Sequence, residues 1–125
     1  MKWALSVNKV LTISGSGEME DYSYSSSPWY KYHDIITELV MDDNIQTIGA
    51  YAFSDCHNVK SVRIPTGVVT INASAFSGCS DLIHIDIPHS VRHIGYRAFW
   101  NCIGLTSIII PDSVTYIGDC AFSGC

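Results

Sequence analysis

Ile94 to Tyr116 reads I-G-Y-R-A-F-W-N-C-I-G-L-T-S-I-I-I-P-D-S-V-T-Y, and the chain before it repeats that plan twice. Ile48, Ile71, Ile94 and Ile117 recur at intervals of 23 residues. Phe53, Phe76, Phe99 and Phe122 keep the same step, as do Cys56, Cys79, Cys102 and Cys125. Pro65, Pro88 and Pro111 mark the later half of each unit. A fixed period of this length is the signature of a solenoid, in which each unit buries its apolar edge only against its neighbours.

Working outward, the same step taken back from Val59, Val62, Ile64 and Val68 lands on Ile36, Leu39, Met41 and Ile45, all apolar. A degenerate unit therefore precedes the clear ones, with Asp42 where later units carry proline. Within a unit, Val62 and Ile64 (then Ile85 and Ile87, Ile108 and Ile110) alternate as in a strand with one buried face. Proline ends that strand because it lacks the N–H a ladder needs. A turn follows at Asn44, Gly67, Ser90 and Ser113, and a second short strand is expected at 68–71, 91–94 and 114–117. Gly49, Asn72, Gly95 and Gly118 come next, and glycine or asparagine at every occurrence predicts a positive φ. The Ala-Phe pair after them is expected on a single helical turn with Phe in the core. The column Tyr51, Ser74, Arg97, Cys120 carries unrelated residue types and is expected to be exposed.

Before the repeats, residues 3–13 read as a hairpin: Trp3, Leu5 and Val7 alternate with small residues, Asn8-Lys9 turns, and Val10 to Ile13 returns. Ser14 to Gly17 reads as a polar break. From Glu18 to Tyr32 no period is visible, yet Tyr22, Tyr24, Trp29, Tyr30 and Tyr32 cluster there. A solenoid needs its first unit covered, so residues 1–34 are expected to be a cap of hairpin plus aromatic-rich loop, with Trp29 over the end of the stack. Residues 35–125 are then the repeats.

Composition narrows the function classes. Nearly half the residues are hydrophobic and only 15% are charged, which excludes a disordered chain. A net charge of −5 argues against sequence-independent nucleic-acid binding. No apolar run is long enough to span a bilayer, and no secretory leader is visible after Met1. Four of the five cysteines share one slot of the repeat, where a free thiol acts as a small apolar core group. Disulfides between neighbouring units remain an alternative, and the absence of Cys-x-x-Cys removes the usual zinc spacing.

The pattern I-G-x-x-A-F-x-x-C-x-x-L-x-x-I-x-I-P-x-S-V resembles the BspA-type leucine-rich repeat of large bacterial and some protist surface proteins, over Ile36 to Cys125. The W-x-L…L-x-I-S-G-x-G-x-M-x-D-Y…P-W stretch is similar to the cap that often precedes such repeats. The resemblance implies a leucine-rich repeat solenoid of the α/β class, strand-dominated with short helical turns, wound as a right-handed superhelix. It further implies a secreted or cell-surface setting and protein partners such as host matrix or other microbial surface proteins. The final unit stops after nine residues, so the chain reads as a fragment of a longer protein. Its open end is expected to favour self-association near Cys120 and Cys125.

Candidate sites follow from what the repeat leaves free. Side chains between the buried ones on the first strand form two outward columns: Glu38, Ser61, His84, Ser107 and Val40, Arg63, Asp86, Ile109. This face is the expected partner-binding surface of a non-enzymatic interaction or adhesion module. The alternatives are a structural spacer displaying another domain, and glycan binding by the cap aromatics. No nucleophile elbow and no phosphate-binding glycine loop occurs, so neither catalytic residues nor a cofactor are expected. His89 and His93 straddle a turn and should point apart; Glu18, Glu20, Asp21 and Asp42–Asn44 lack the alternating pattern of a calcium loop. No metal is expected.

Overall fold

In the computed structural model, which describes residues 1–125, ten short strands wind back and forth along one stack. They are β1 (Lys2–Leu5), β2 (Val10–Ser14), β3 (Gly17–Glu18), β4 (Glu38–Met41), β5 (Ile45–Ile48), β6 (Ser61–Arg63), β7 (Thr70–Ile71), β8 (His84–Asp86), β9 (His93–Ile94) and β10 (Tyr116–Ile117). The one helical piece is a 3-10 turn at Tyr30–Tyr32. No helix is long and apolar enough to cross a membrane.

The second strands form a five-stranded parallel sheet in the order β10-β9-β7-β5-β3, with Thr47, Thr70, His93 and Tyr116 in one row. The first strands form two separate sheets, β1-β2-β4 and β6-β8. Between the two strand sides lies a single apolar core holding Leu39, Val62, Ile64, Leu82, Ile85, Val68, Val91 and their equivalents.

The third edge of each rung is a turn that stacks on the next. Tyr51, Phe53 and Asp55 donate their N–H groups to Ala73, Ala75 and Ser77 of the following rung. The intervening Ala52, Ser54 and Cys56 donate back to the carbonyls of Gly49, Tyr51 and Phe53. The same alternation recurs at 74–79 and 97–102. Every N–H is thereby satisfied, but half of the bonds leave the rung, so the expected helical turn does not form a helix. Phe53, Phe76, Phe99 and Phe122 stack with centroids 5.4 Å apart at each step.

The cysteine slot has a second use beyond packing. Cys79 Sγ–H donates to Phe53 O at 3.3 Å, Cys102 to Phe76 O at 3.2 Å and Cys125 to Phe99 O at 3.3 Å. Each thiol thus ties its rung to the one before. All five cysteines are free; Cys56, Cys79 and Cys102 are buried, whereas Cys125, on the last rung, is exposed together with Cys120.

Several expectations are corrected. Gly49, Asn72, Gly95 and Gly118 do not have positive φ; Tyr51, Ser74, Arg97 and Cys120, two residues later, do, at 54–59°. Glycine is needed at 95 and 118 for close approach: a Cβ there would lie 2.8 Å from Ala73 N and 2.5 Å from Tyr96 N of the preceding rung. The column at 51, 74, 97 and 120 is not uniformly exposed, because Ser74 is buried under its neighbours. The second strands are only two residues long at β7, β9 and β10, and no strand forms at 105–110.

At the N-terminus the hairpin pairs Trp3 with Ile13 and Leu5 with Leu11. Its buried side chains are Leu11 and Ile13 of β2, while Trp3 and Val7 of the first arm are exposed. The polar break at Gly15-Ser16 separates β2 from β3, and the two strands belong to an additional rung. β2 pairs in parallel with β4 (Leu11 with Leu39, Ile13 with Met41), and β3 pairs with β5. Met19 and Tyr22 then donate to Thr47 O and Ala50 O. Trp29 completes this rung by stacking on Phe53 at 5.8 Å and donating Nε1–H to Ala52 O at 2.7 Å.

Candidate functional site

The outward strand face is built by alternation. Each buried residue of β4, β6 and β8 sends its neighbours outward, so Glu38, Val40, Ser61, Arg63, His84 and Asp86 are all exposed. In register, Ser61 lies beside His84 and Arg63 beside Asp86. Ser107 and Ile109 are exposed as well, although their segment is not a strand. Ile109 is 86% exposed and Val40 43%, which places two aliphatic side chains in water on an otherwise polar surface.

The face is larger than the two columns read from the repeat. Val10 pairs with Glu38 and Thr12 with Val40, so β2 extends both rows by one strand. The clue was Leu11 and Ile13, whose alternation matches that of Leu39 and Met41 but whose offset departs from the repeat.

No backbone hydrogen bond joins β4 to β6, nor β8 to residues 107–109. An open groove occupies each gap. One, of about 530 Å³, is lined by Glu38, Asn58, Lys60, Ser61 and Arg63. The other, of about 290 Å³, is lined by His84, Asp86, His89, Ser107 and Ile109. Four of the eight candidate residues line the second groove and three the first, and Val40 alone lines neither. Strands that do not exchange hydrogen bonds leave N–H and C=O groups for water or a partner.

Electrostatically the face is mixed. Arg63 turns to Asp43 at 3.3 Å, the single ion pair of the chain, and leaves Asp86 without a cation. Both partners are more than half exposed, so the pair adds well under about 1 kcal/mol and leaves Arg63 free to exchange partners. His93 lies on β9 beside Tyr116, away from His89 in the groove. No three His, Cys, Asp or Glu side chains converge as metal ligands. Asp21 accepts from Ala50 N and Asn72 Nδ2, both at 2.7 Å, which ties the N-terminal segment to two rungs.

The N-terminal aromatics divide in two. Trp29 is buried, and Tyr22 and Tyr32 pack half-buried against the core. Tyr24 is 60% exposed, and it and Tyr30 both donate to Asp55 Oδ2 at 2.8 Å. Burial, followed by these hydrogen bonds, holds the Tyr30 phenol well above its usual range. Cys56 and Cys79 are held protonated, whereas the contact with Cys79 lowers Cys102. Burial pushes Cys56 up to about 12. Cys79 is raised by its contact with Cys102 and by burial. A thiol kept protonated is a poor nucleophile, so these two serve packing rather than chemistry.

The model of the BspA type leucine rich repeat region matches residues 24–125 in six copies. The chain belongs to the BspA-type leucine-rich repeat family. Among solved structures, a leucine-rich repeat protein from Eubacterium ventriosum is similar over 92% of this chain, at 30% identity and a TM-score of 0.71. The Treponema pallidum leucine-rich repeat protein (T. pallidum TpLRR) shares the fold over 99% of the chain, at 24% identity and a TM-score of 0.72. This chain spans 37% of the first protein and 64% of the second. No protein of curated function matches it. Leucine-rich repeat domains of this kind generally act as protein-binding platforms.

Proposed function

We propose that this BspA-type chain is a non-enzymatic protein-interaction module of a secreted or cell-surface protein, binding through the outward strand face. In this reading residues 35–125 are the repeat platform, a right-handed solenoid of 23-residue units, and residues 1–34 cap it. Glu38, Val40, Ser61, Arg63, His84, Asp86, Ser107 and Ile109 make the contacts, with Val10 and Thr12 at the margin. The carrying observation is the combination of Ile109, 86% exposed, with the unpaired Asp86 in one groove. Aliphatic surface beside an unpaired charge offers both area and orientation to a protein partner. Host matrix or other microbial surface proteins are the partner class that the family resemblance implies, and adhesion is the corresponding role.

The test is the double charge reversal Arg63→Glu with Asp86→Lys in the full-length protein, using cell-surface or matrix binding as readout. Loss of binding with an unchanged melting curve supports the face. Unchanged binding moves the function elsewhere on the chain and favours a spacer that displays another domain.

A further inference from the structure

We propose that a cavity at the N-terminal end, between the β1–β2 hairpin and the segment from Glu18 to Trp29, is a binding site for a compact organic cation of the quaternary or methylated ammonium type. The cavity measures about 350 Å³, and its chemistry is set by Trp3, Tyr22, Trp29, Glu18, Glu20 and Lys2. Trp3 meets Trp29 edge-on at 6.0 Å and 65°, and Tyr22 meets it from another side at 5.6 Å and 80°. The rings therefore form a corner rather than a flat platform, with buried Trp29 as its packed base and Trp3 and Tyr22 as the accessible walls. Trp29 is fixed within it by its hydrogen bond to Ala52 O and its stacking on Phe53. Trp3 remains 37% exposed, which keeps the corner open.

An aromatic corner attracts cations through the negative faces of its rings, and indole is the strongest of the side chains. Glu18 and Glu20 add two carboxylates to the rim, both exposed and neither in an ion pair. Lys2 and the α-ammonium of Met1 also belong to the lining, and neither pairs with these carboxylates. Elsewhere the chain does supply its own cations to rings: Lys31 over Tyr32 at 5.1 Å, and Arg97 over Tyr96 at 5.0 Å and Trp100 at 5.1 Å. The Trp3–Tyr22–Trp29 corner has no such internal partner. Burial and then the charge of Glu20 hold the Tyr22 phenol above its ordinary value.

An anion is disfavoured by the negative faces of the rings, and a purely apolar guest would strip water from the two carboxylates without return. A sugar would use the carboxylates as acceptors but would prefer a flat ring face for stacking. A cation with a methylated head matches both the rings and the charge. This site shares no residue with the outward strand face.

The test is titration of the full chain with choline chloride, followed by the indole N–H resonances. Saturable shifts of the Trp3 signal are expected, with a dissociation constant on the order of 1–10 mM for so small a ligand. Trp3→Leu should weaken binding at least about tenfold, and Glu18→Gln with Glu20→Gln about three- to tenfold, as the loss of ring and charge contacts implies. Melting curves establish that these surface variants fold. Three results overturn the proposal: no saturation by about 100 mM, equal binding of the neutral isostere 3,3-dimethylbutan-1-ol, or unchanged choline affinity in a folded Trp3→Leu. Binding of a monosaccharide where choline fails would make the corner a sugar site instead. Arg63→Glu with Asp86→Lys should leave choline binding intact, so this result and the partner test fail independently.

Discussion

The second-strand sheet runs unbroken through β10, β9, β7, β5 and β3, while the first-strand side divides into β1-β2-β4 and β6-β8 and then loses strand form at 105–110. Both sides belong to the same rungs, so the difference does not arise from rung spacing alone. The continuous side sits next to the turn edge, where Phe stacking, thiol-to-carbonyl bonds and close glycine contacts hold each rung against its neighbour. The broken side carries unlike side chains in each column, as the row Thr47, Thr70, His93 and Tyr116 does on the continuous side, but its strands part at two gaps. Surface variety is thus common to both sides, while the two interstrand grooves that give a partner room open on the broken one.

That contrast can be broken most strongly at the packed edge. Phe76→Ala should lower stability by about 3–5 kcal/mol in urea unfolding, as for a buried aromatic with stacked neighbours; a loss below about 1 kcal/mol would mean the rungs do not depend on the stack. Gly95→Ala should cost about 1–3 kcal/mol, since its new methyl would press on the Asn72–Ala73 backbone. A neutral outcome there would remove the close-approach explanation.

The buried thiols give the edge a pH signature. Burial raises Cys56 from 9.0 to about 12. Below pH 9 both folded and unfolded chains keep this proton, so the group is neutral in the balance. Above about pH 9 the unfolded chain loses it first, and stability falls as pH rises toward about 12. Melting temperatures at pH 8 and pH 10 should therefore separate more in the native protein than in Cys56→Ala, and equal separations would count against a protonated buried thiol. The smallest effect belongs to the broken side: Ile109→Ser should change stability by no more than about 0.5 kcal/mol, because its side chain already stands in water. A large loss would show that Ile109 closes the groove instead of lining it.

The parts of the fold most legible in the sequence are those that every rung repeats. Phe76, Cys79, Leu82 and Ile85 declare their inward direction because Phe99, Cys102, Leu105 and Ile108 do the same one rung later. The φ assignment failed for a physical reason: glycine marks both left-handed backbone and close contact, and at Gly95 and Gly118 only the second applies. The left-handed positions hide under Tyr51, Ser74 and Arg97, whose N–H groups bond to the next rung and hold that conformation without glycine. The N-terminal rung was missed because Leu11 meets Leu39 and Gly17 meets Ile45, 28 positions on in both cases, outside the repeat step. Alternation alone revealed the outward columns. The aromatic corner was not legible, since Trp3, Glu20 and Trp29 come from segments with no shared period.

Asp55 carries a lesson for anyone who would regularise this protein. Its counterparts Gly78, Asn101 and Gly124 share its positive φ, a conformation that costs an ordinary side chain about 1–2 kcal/mol. A repeat-averaged design would therefore place glycine or asparagine at 55 and expect a gain. Glycine there would delete the acceptor on which Tyr24 and Tyr30 both close, and Asp55→Gly would loosen the N-terminal segment from the first clear repeat. The most irregular residue of its column is the latch, and an idealised copy of the array would be smoother and open at one end.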